Sequence, residues 1–149
     1  MKKNSWLILI LLAILLAACA SGSKTSQGSG DQLKVSDGTK SKTYTISDLK
    51  KLPVTQADFK DVTYQGVTIK ALLADAGFTP ETLKAVKAVA QDGFTANYDP
   101  STLMRDDMIV AYATKDGAMT AEDGSFRIVL PGGEGKMNPR LLAEVQAVP

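Results

Sequence analysis

Histidine is absent from this 149-residue chain, and cysteine occurs once, at position 19. These two absences exclude a Ser-His-Asp triad, a histidine general base and a Cys/His zinc site. One cysteine forms no internal disulfide, and once it is modified no thiolate remains to hold a metal. An excess of charge is missing too: 17 basic residues face 16 acidic ones. No basic patch interleaved with aromatics stands out, and aromatics make up only 6% of the chain. Nucleic acid is therefore not an expected partner. There is one long apolar run, residues 6–18. It falls short of the roughly 20 residues that a membrane-spanning helix needs.

That run is nevertheless informative. Lys2 and Lys3 precede it, and Leu16-Ala17-Ala18-Cys19 closes it, followed by Ala20-Ser21-Gly22. A basic start, an apolar stretch and small residues at the cut make a secretory signal. The cysteine at the cut resembles a bacterial lipobox. That resemblance implies cleavage before Cys19 and lipid on its thiol and new amino terminus. The competing reading is an ordinary signal whose cysteine is incidental. Stable anchoring takes more than one acyl chain, at about 0.8 kcal/mol per buried CH₂. Loss of Lys2 and Lys3 leaves 15 (17 − 2) basic residues against 16 acidic ones. Residues 21–31 are Ser, Gly, Lys, Thr, Gln and little else, a composition that buries no core and reads as a flexible tether. The expected organisation is a signal peptide at 1–18, a lipidated Cys19 with its tether at 19–32, and one domain at 33–149. The expected location is the extracytoplasmic face of the cell membrane, held there by lipid on Cys19.

Within the domain, residues 33–36 and 42–46 read as strands around Asp37-Gly38. Ser47 is expected to cap a short helix over 48–52 that Pro53 stops. Residues 54–67, rich in Thr, Val, Phe and Tyr, read as extended. Thr68 caps a second helix with Ile69, Leu72, Leu73 and Ala76 on one face, ended by Gly77. Thr79-Pro80-Glu81 opens a further helical turn. Asp92-Gly93 between 86–91 and 94–98 is a strong hairpin signal. A short helix at 100–105, strands at 108–114, 126–130 and 141–148, and a loop at 131–135 complete the pattern. Short strands and helices without regular βαβ alternation predict a mixed, β-rich α+β fold.

Four segments share their order with one family. Ser47-Asp48-Leu49 to Leu52-Pro53 is similar to its opening "x-D-L-x-x-L-P". Tyr64-Gln65-Gly66-Val67 leading to Leu72-Leu73 is close to "W-x-G-V-x-L-x-x-L-L". Ala90-Gln91-Asp92-Gly93-Phe94 is like "A-D-G-Y", and Phe126-Arg127-Ile128-Val129-Leu130-Pro131-Gly132 is like "P-L-R-L-V-V-P-G". Together they resemble the sulfite-oxidase-type molybdopterin-binding domain. The resemblance implies that family's fold and admits molybdopterin as a cofactor. It also shows departures. Active members hold molybdenum through a cysteine between the first two motifs. Here only residues 54–63 separate them, with no cysteine, and the histidine that often precedes "P-L-R" is missing.

By resemblance, Arg127 would reach a phosphate or other anion, since a guanidinium fork matches such oxygens two at a time. The competing reading is a structural salt bridge with an acidic neighbour. Lys136, beside Gly132-Gly133-Glu134-Gly135, is a second candidate for the same anion. It lacks nucleotide-loop spacing, and a plain connection explains it equally. Tyr64, Tyr98 and Tyr112 either line a pocket or pack the sheets. Asp99, Asp106 and Asp107 either hold calcium or lie at solvated helix ends. The chain thus reads as a lipid-anchored relative that keeps the scaffold without the metal chemistry. Its expected role is to bind a small anionic ligand or to dock a membrane redox or transport partner. The alternatives are an oxidoreductase that works without the cysteine ligand and a purely structural surface domain.

Overall fold

Hairpins dominate the architecture, and each is set by its turn chemistry. The computed structural model describes residues 31–149. The leader, Cys19 and nearly all of the tether lie outside the described residues. Strands β1 (Leu33–Ser36) and β2 (Ser41–Tyr44) pair antiparallel. Asp37 holds their turn: its Oδ1 accepts from the backbone N–H groups of Thr39 and Lys40 and from the Thr39 hydroxyl. Helix α1 (Ile46–Leu49) follows. Its cap is Thr45, not Ser47. Thr45 and Asp48 close a reciprocal capping box, in which each side chain accepts from the other's backbone N–H.

The extended stretch 54–67 resolves into a hairpin of two strands, β3 (Val54–Phe59) and β4 (Val62–Thr68). Only Lys60 and Asp61 separate them, with Lys60 in the left-handed region at φ 53°. Thr68 ends β4 and caps α2 (Ile69–Asp75) by accepting from the Ala71 N–H. Gly77, at φ 85°, lies just past the helix end. Strands β5 (Ala85–Ala90) and β6 (Thr95–Tyr98) form the expected Asp-Gly hairpin. Helix α3 (Pro100–Leu103) is capped by Asp99. Strands β7 (Ile109–Thr114), β8 (Arg127–Val129) and β9 (Leu142–Val148) complete the chain.

The strands form two sheets, ordered β2-β1-β9-β5-β6 and β3-β4-β7-β8. All the pairings are antiparallel except β1 with β9. This is the expected β-rich α+β domain with few, short helices. Val35, Val86, Ala88 and Val145 of the first sheet share one core with Val67, Val110 and Ile128 of the second and with Leu72 and Leu73 of α2. The four-stranded sheet carries a second, smaller cluster of Ala57, Tyr64, Ile109, Ala111 and Val129, with Phe59 and Met119 packed against it. Side chains alternate across a strand, so β8 sends Ile128 to the main core and Val129 to the smaller cluster. Arg127, on the same side as Val129, goes toward the smaller cluster as well. No described helix is long and apolar enough to cross a membrane.

Candidate functional site

A guanidinium buried between β-strands needs acceptors, because an unpaired buried charge is costly. Arg127 is 4% exposed and finds them all inside the chain. Its Nη1 donates to Asp123 Oδ1 at 2.6 Å and to the Tyr64 hydroxyl at 2.8 Å. Its Nη2 donates to the Asn138 carbonyl at 3.1 Å, and its Nε to the Ile128 carbonyl at 3.4 Å. The Tyr64 hydroxyl in turn donates to Asp123 Oδ2 at 3.3 Å. The rings of Tyr64 and Phe59 lie 4.7 and 5.4 Å from the guanidinium carbon. Burial pushes the Tyr64 phenol up from its ordinary pKa, against the opposing pull of Arg127. The salt-bridge reading of Arg127 thus has a named partner, Asp123, which the sequence did not single out. Asp123 precedes the arginine by four positions, a spacing that marks a pair on a helix but not between a turn and a strand.

Asn138 organises the loop that follows. Its side-chain oxygen accepts from the Leu130 N–H at 2.6 Å, and its amide donates to the carbonyls of Gly133 and Glu134. The glycine-rich segment is therefore folded onto Asn138, with Gly132 at φ 73° making the turn after Pro131. Two grooves flank this loop. One, about 480 Å³, is lined by Phe59, Lys60, Tyr64, Asp123, Arg127 and Arg140 among others. The second, about 630 Å³, includes Asp92, Phe94, Glu122, Lys136, Arg140 and Leu141. They meet at Glu122, Gly135, Asn138 and Arg140.

The two anion candidates separate here. Arg127 lines the first groove and Lys136 the second. Lys136 is exposed and pairs with Glu134 at 2.9 Å, and Arg140 pairs with Glu122 at 3.0 Å. Tyr98 is buried and donates to the Met137 carbonyl, and Tyr112 is buried under Lys50. The three aspartates do not converge: Asp99 caps α3, Asp107 binds Arg105 and Asp106 binds Lys70.

A molybdenum centre of the kind the resemblance implies needs a thiolate and the neighbours that tune it. The donor set does not fit. The described residues contain no group of three or more His, Cys, Asp or Glu placed for a metal ion. The chain has no histidine, and its one cysteine is at position 19. Where the cysteine-bearing segment of the family would run, β3 and β4 close in the two-residue turn Lys60-Asp61.

No curated protein sequence matches the chain. Among solved structures, the sulfane dehydrogenase SoxCD from Paracoccus pantotrophus is similar, with a TM-score of 0.67 and 23% identity. The match covers 81% of this chain and 39% of that one, so this chain spans about two fifths of its structural relative. At that identity the likeness speaks for the fold. The family model described as "oxidoreductase molybdopterin binding domain" matches residues 35–149, most of the sequence. The chain belongs to the oxidoreductase molybdopterin-binding domain family.

Proposed function

We propose that this protein is a lipid-anchored, extracytoplasmic binding or docking module, built on a molybdopterin-binding scaffold that no longer runs molybdenum chemistry. The observation that carries the reading is the β3–β4 hairpin. Its two-residue turn leaves no room for a cysteine-bearing insertion, residues 54–63 include no cysteine, and the chain has no imidazole. The four neighbouring cations of the grooves are Lys60, Arg127, Lys136 and Arg140, and three of them are already paired with carboxylates of the chain itself. The accessible face is the second groove, with Phe94 44% exposed beside Lys136 and Arg140. An exposed aromatic flanked by exposed charges fits a partner surface better than an enclosed cofactor.

The anchor rests on the sequence: a short apolar leader that ends in Leu16-Ala17-Ala18-Cys19. Protein purified from its native membrane is expected to contain no stoichiometric molybdenum by elemental analysis and to leave sulfite unoxidised. In cells labelled with a fatty acid, Cys19→Ser is expected to lose the label and leave the membrane fraction. Near-stoichiometric molybdenum would establish the oxidoreductase reading instead. Label retained on Cys19→Ser would end the lipoprotein reading.

A further inference from the structure

We propose that Asp123 is a built-in ligand of Arg127, so that the chain's own carboxylate occupies the cationic site a bound anion would otherwise take. The inference deepens the non-catalytic reading by saying what occupies the Arg127 guanidinium in this chain. It rests on that reading only for its biological sense, because its test does not involve metal content.

The geometry is that of a filled site. Arginine carries five N–H donors. Four contacts from Arg127 run to acceptors within the chain: Asp123, Tyr64 and the carbonyls of Asn138 and Ile128. The Asp123–Arg127 pair is a charge-assisted contact of 2.6 Å, with the two side chains only 9% and 5% exposed. Both Asp123 oxygens are engaged, Oδ1 by Arg127 and Oδ2 by Tyr64. Tyr64 therefore accepts from the arginine and donates to the aspartate, closing a ring of three hydrogen bonds.

Asp123 is also held from behind. Its N–H donates to the carbonyl and hydroxyl of Thr120, and its carbonyl accepts from the Leu141 N–H at 2.8 Å. Gly124, at φ 76°, brings this turn against Leu141, itself at φ 51°. A Cβ at 124 would lie 2.7 Å from Leu141 Cδ2. A carboxylate fixed in this way competes at the high effective concentration of an intramolecular partner. An incoming phosphate must displace it and leave Asp123 buried without its cation, which is unfavourable. Arg127 and Asp123 both line the first groove, so removing the carboxylate opens the guanidinium to it.

The test uses the full mature chain, with inorganic phosphate as the probe against chloride at matched ionic strength. The melting temperature of the wild type is expected to be the same in both salts. Asp123→Ala is expected to melt lower in chloride. Phosphate about 100-fold above its Kd should then raise the Asp123→Ala melting temperature by several degrees through binding linkage. The double variant Asp123→Ala/Arg127→Leu should show no response to phosphate. Asp123→Ser, smaller and polar, is a second variant with the same expected behaviour. If neither single variant folds in chloride, refolding yield becomes the readout: recovery in phosphate supports the proposal, and equal failure in both salts overturns it. A wild-type response to phosphate that Arg127→Leu abolishes would overturn it as well. So would a folded Asp123→Ala that ignores phosphate.

Discussion

Gly66 has no room for a methyl group. It sits at the irregular step Gln65/Gly66 where β4 passes β7. A Cβ there would lie 2.0 Å from the Val110 carbonyl oxygen and 2.7 Å from Ala111 Cα. Both neighbours are backbone of a buried strand, so neither can swing aside as a flexible side chain would. This gives the glycine of the Tyr64-Gln65-Gly66-Val67 motif a physical cause, close backbone approach at a bulge. Gly66→Ala is expected to cost on the order of 3 kcal/mol, at the upper end of overpacking effects. Urea unfolding of wild type and variant measures it, and a loss under about 0.5 kcal/mol, the range of neutral surface changes, would contradict the close approach. At the same scale, Arg127 was legible as a charge that an apolar strand must satisfy. Asp123 was not, because the turn that brings it back to Tyr64 depends on contacts between residues far apart in sequence. In the chain alone, Asp123-Gly124 looks like any other turn.

Helix α1 shows how an element can be legible while its boundary is not. Thr45 and Ser47 are both competent caps, and both precede the same apolar Leu49. What separates them is the residue three positions on. From Thr45 that residue is Asp48, whose carboxylate returns to the Thr45 N–H. From Ser47 it is Lys50, which cannot accept. Thr45→Ala is therefore expected to lower stability by about 1 kcal/mol, while Ser47→Ala stays within about 0.5 kcal/mol. Paired thermal melts of the two variants check this, and equal losses would mean that the box contributes nothing. The same logic sorts the other elements. Thr68, Asp92-Gly93 and Gly77 carry their conformations locally, and the helix start, hairpin and helix end they predict are all present. The return of β9 between β1 and β5, parallel to one and antiparallel to the other, has no local signature. It is set by burial of Val145 and Ala147 against residues about a hundred and about sixty positions earlier.

For the molecule as a whole, the absence of histidine has a thermodynamic consequence. No described side chain has an ordinary pKa between about 5 and 8, the interval histidine normally covers. The carboxylates that are shifted move downward. Asp37 falls to about 2 because the Lys40 N–H and the Thr39 hydroxyl and N–H hold its charged form. Lys51 and Thr45 do the same for Asp48, and Lys42 and Tyr44 for Asp75. Burial would raise Glu144, but Ser36, Lys34 and Gln146 more than offset it. A depressed carboxylate adds stability that is fully present above its unfolded pKa, about 4, and is lost as pH falls through the folded value. The tyrosines shift the other way: burial, then the bond to Asp75, raises Tyr44, and burial alone raises Tyr98. Their contribution is intact below the unfolded value of about 10 and fades as pH climbs from there. Both sets leave the middle of the range untouched. The melting temperature is expected to be flat between about pH 5 and 9 and to fall below about pH 4, where the unfolded chain takes up protons that Asp37, Asp48, Asp75 and Glu144 resist in the fold. Differential scanning calorimetry across that range checks the expectation. A change of several degrees between about pH 5.5 and 8 would contradict the expectation and reveal a titrating group inside the fold.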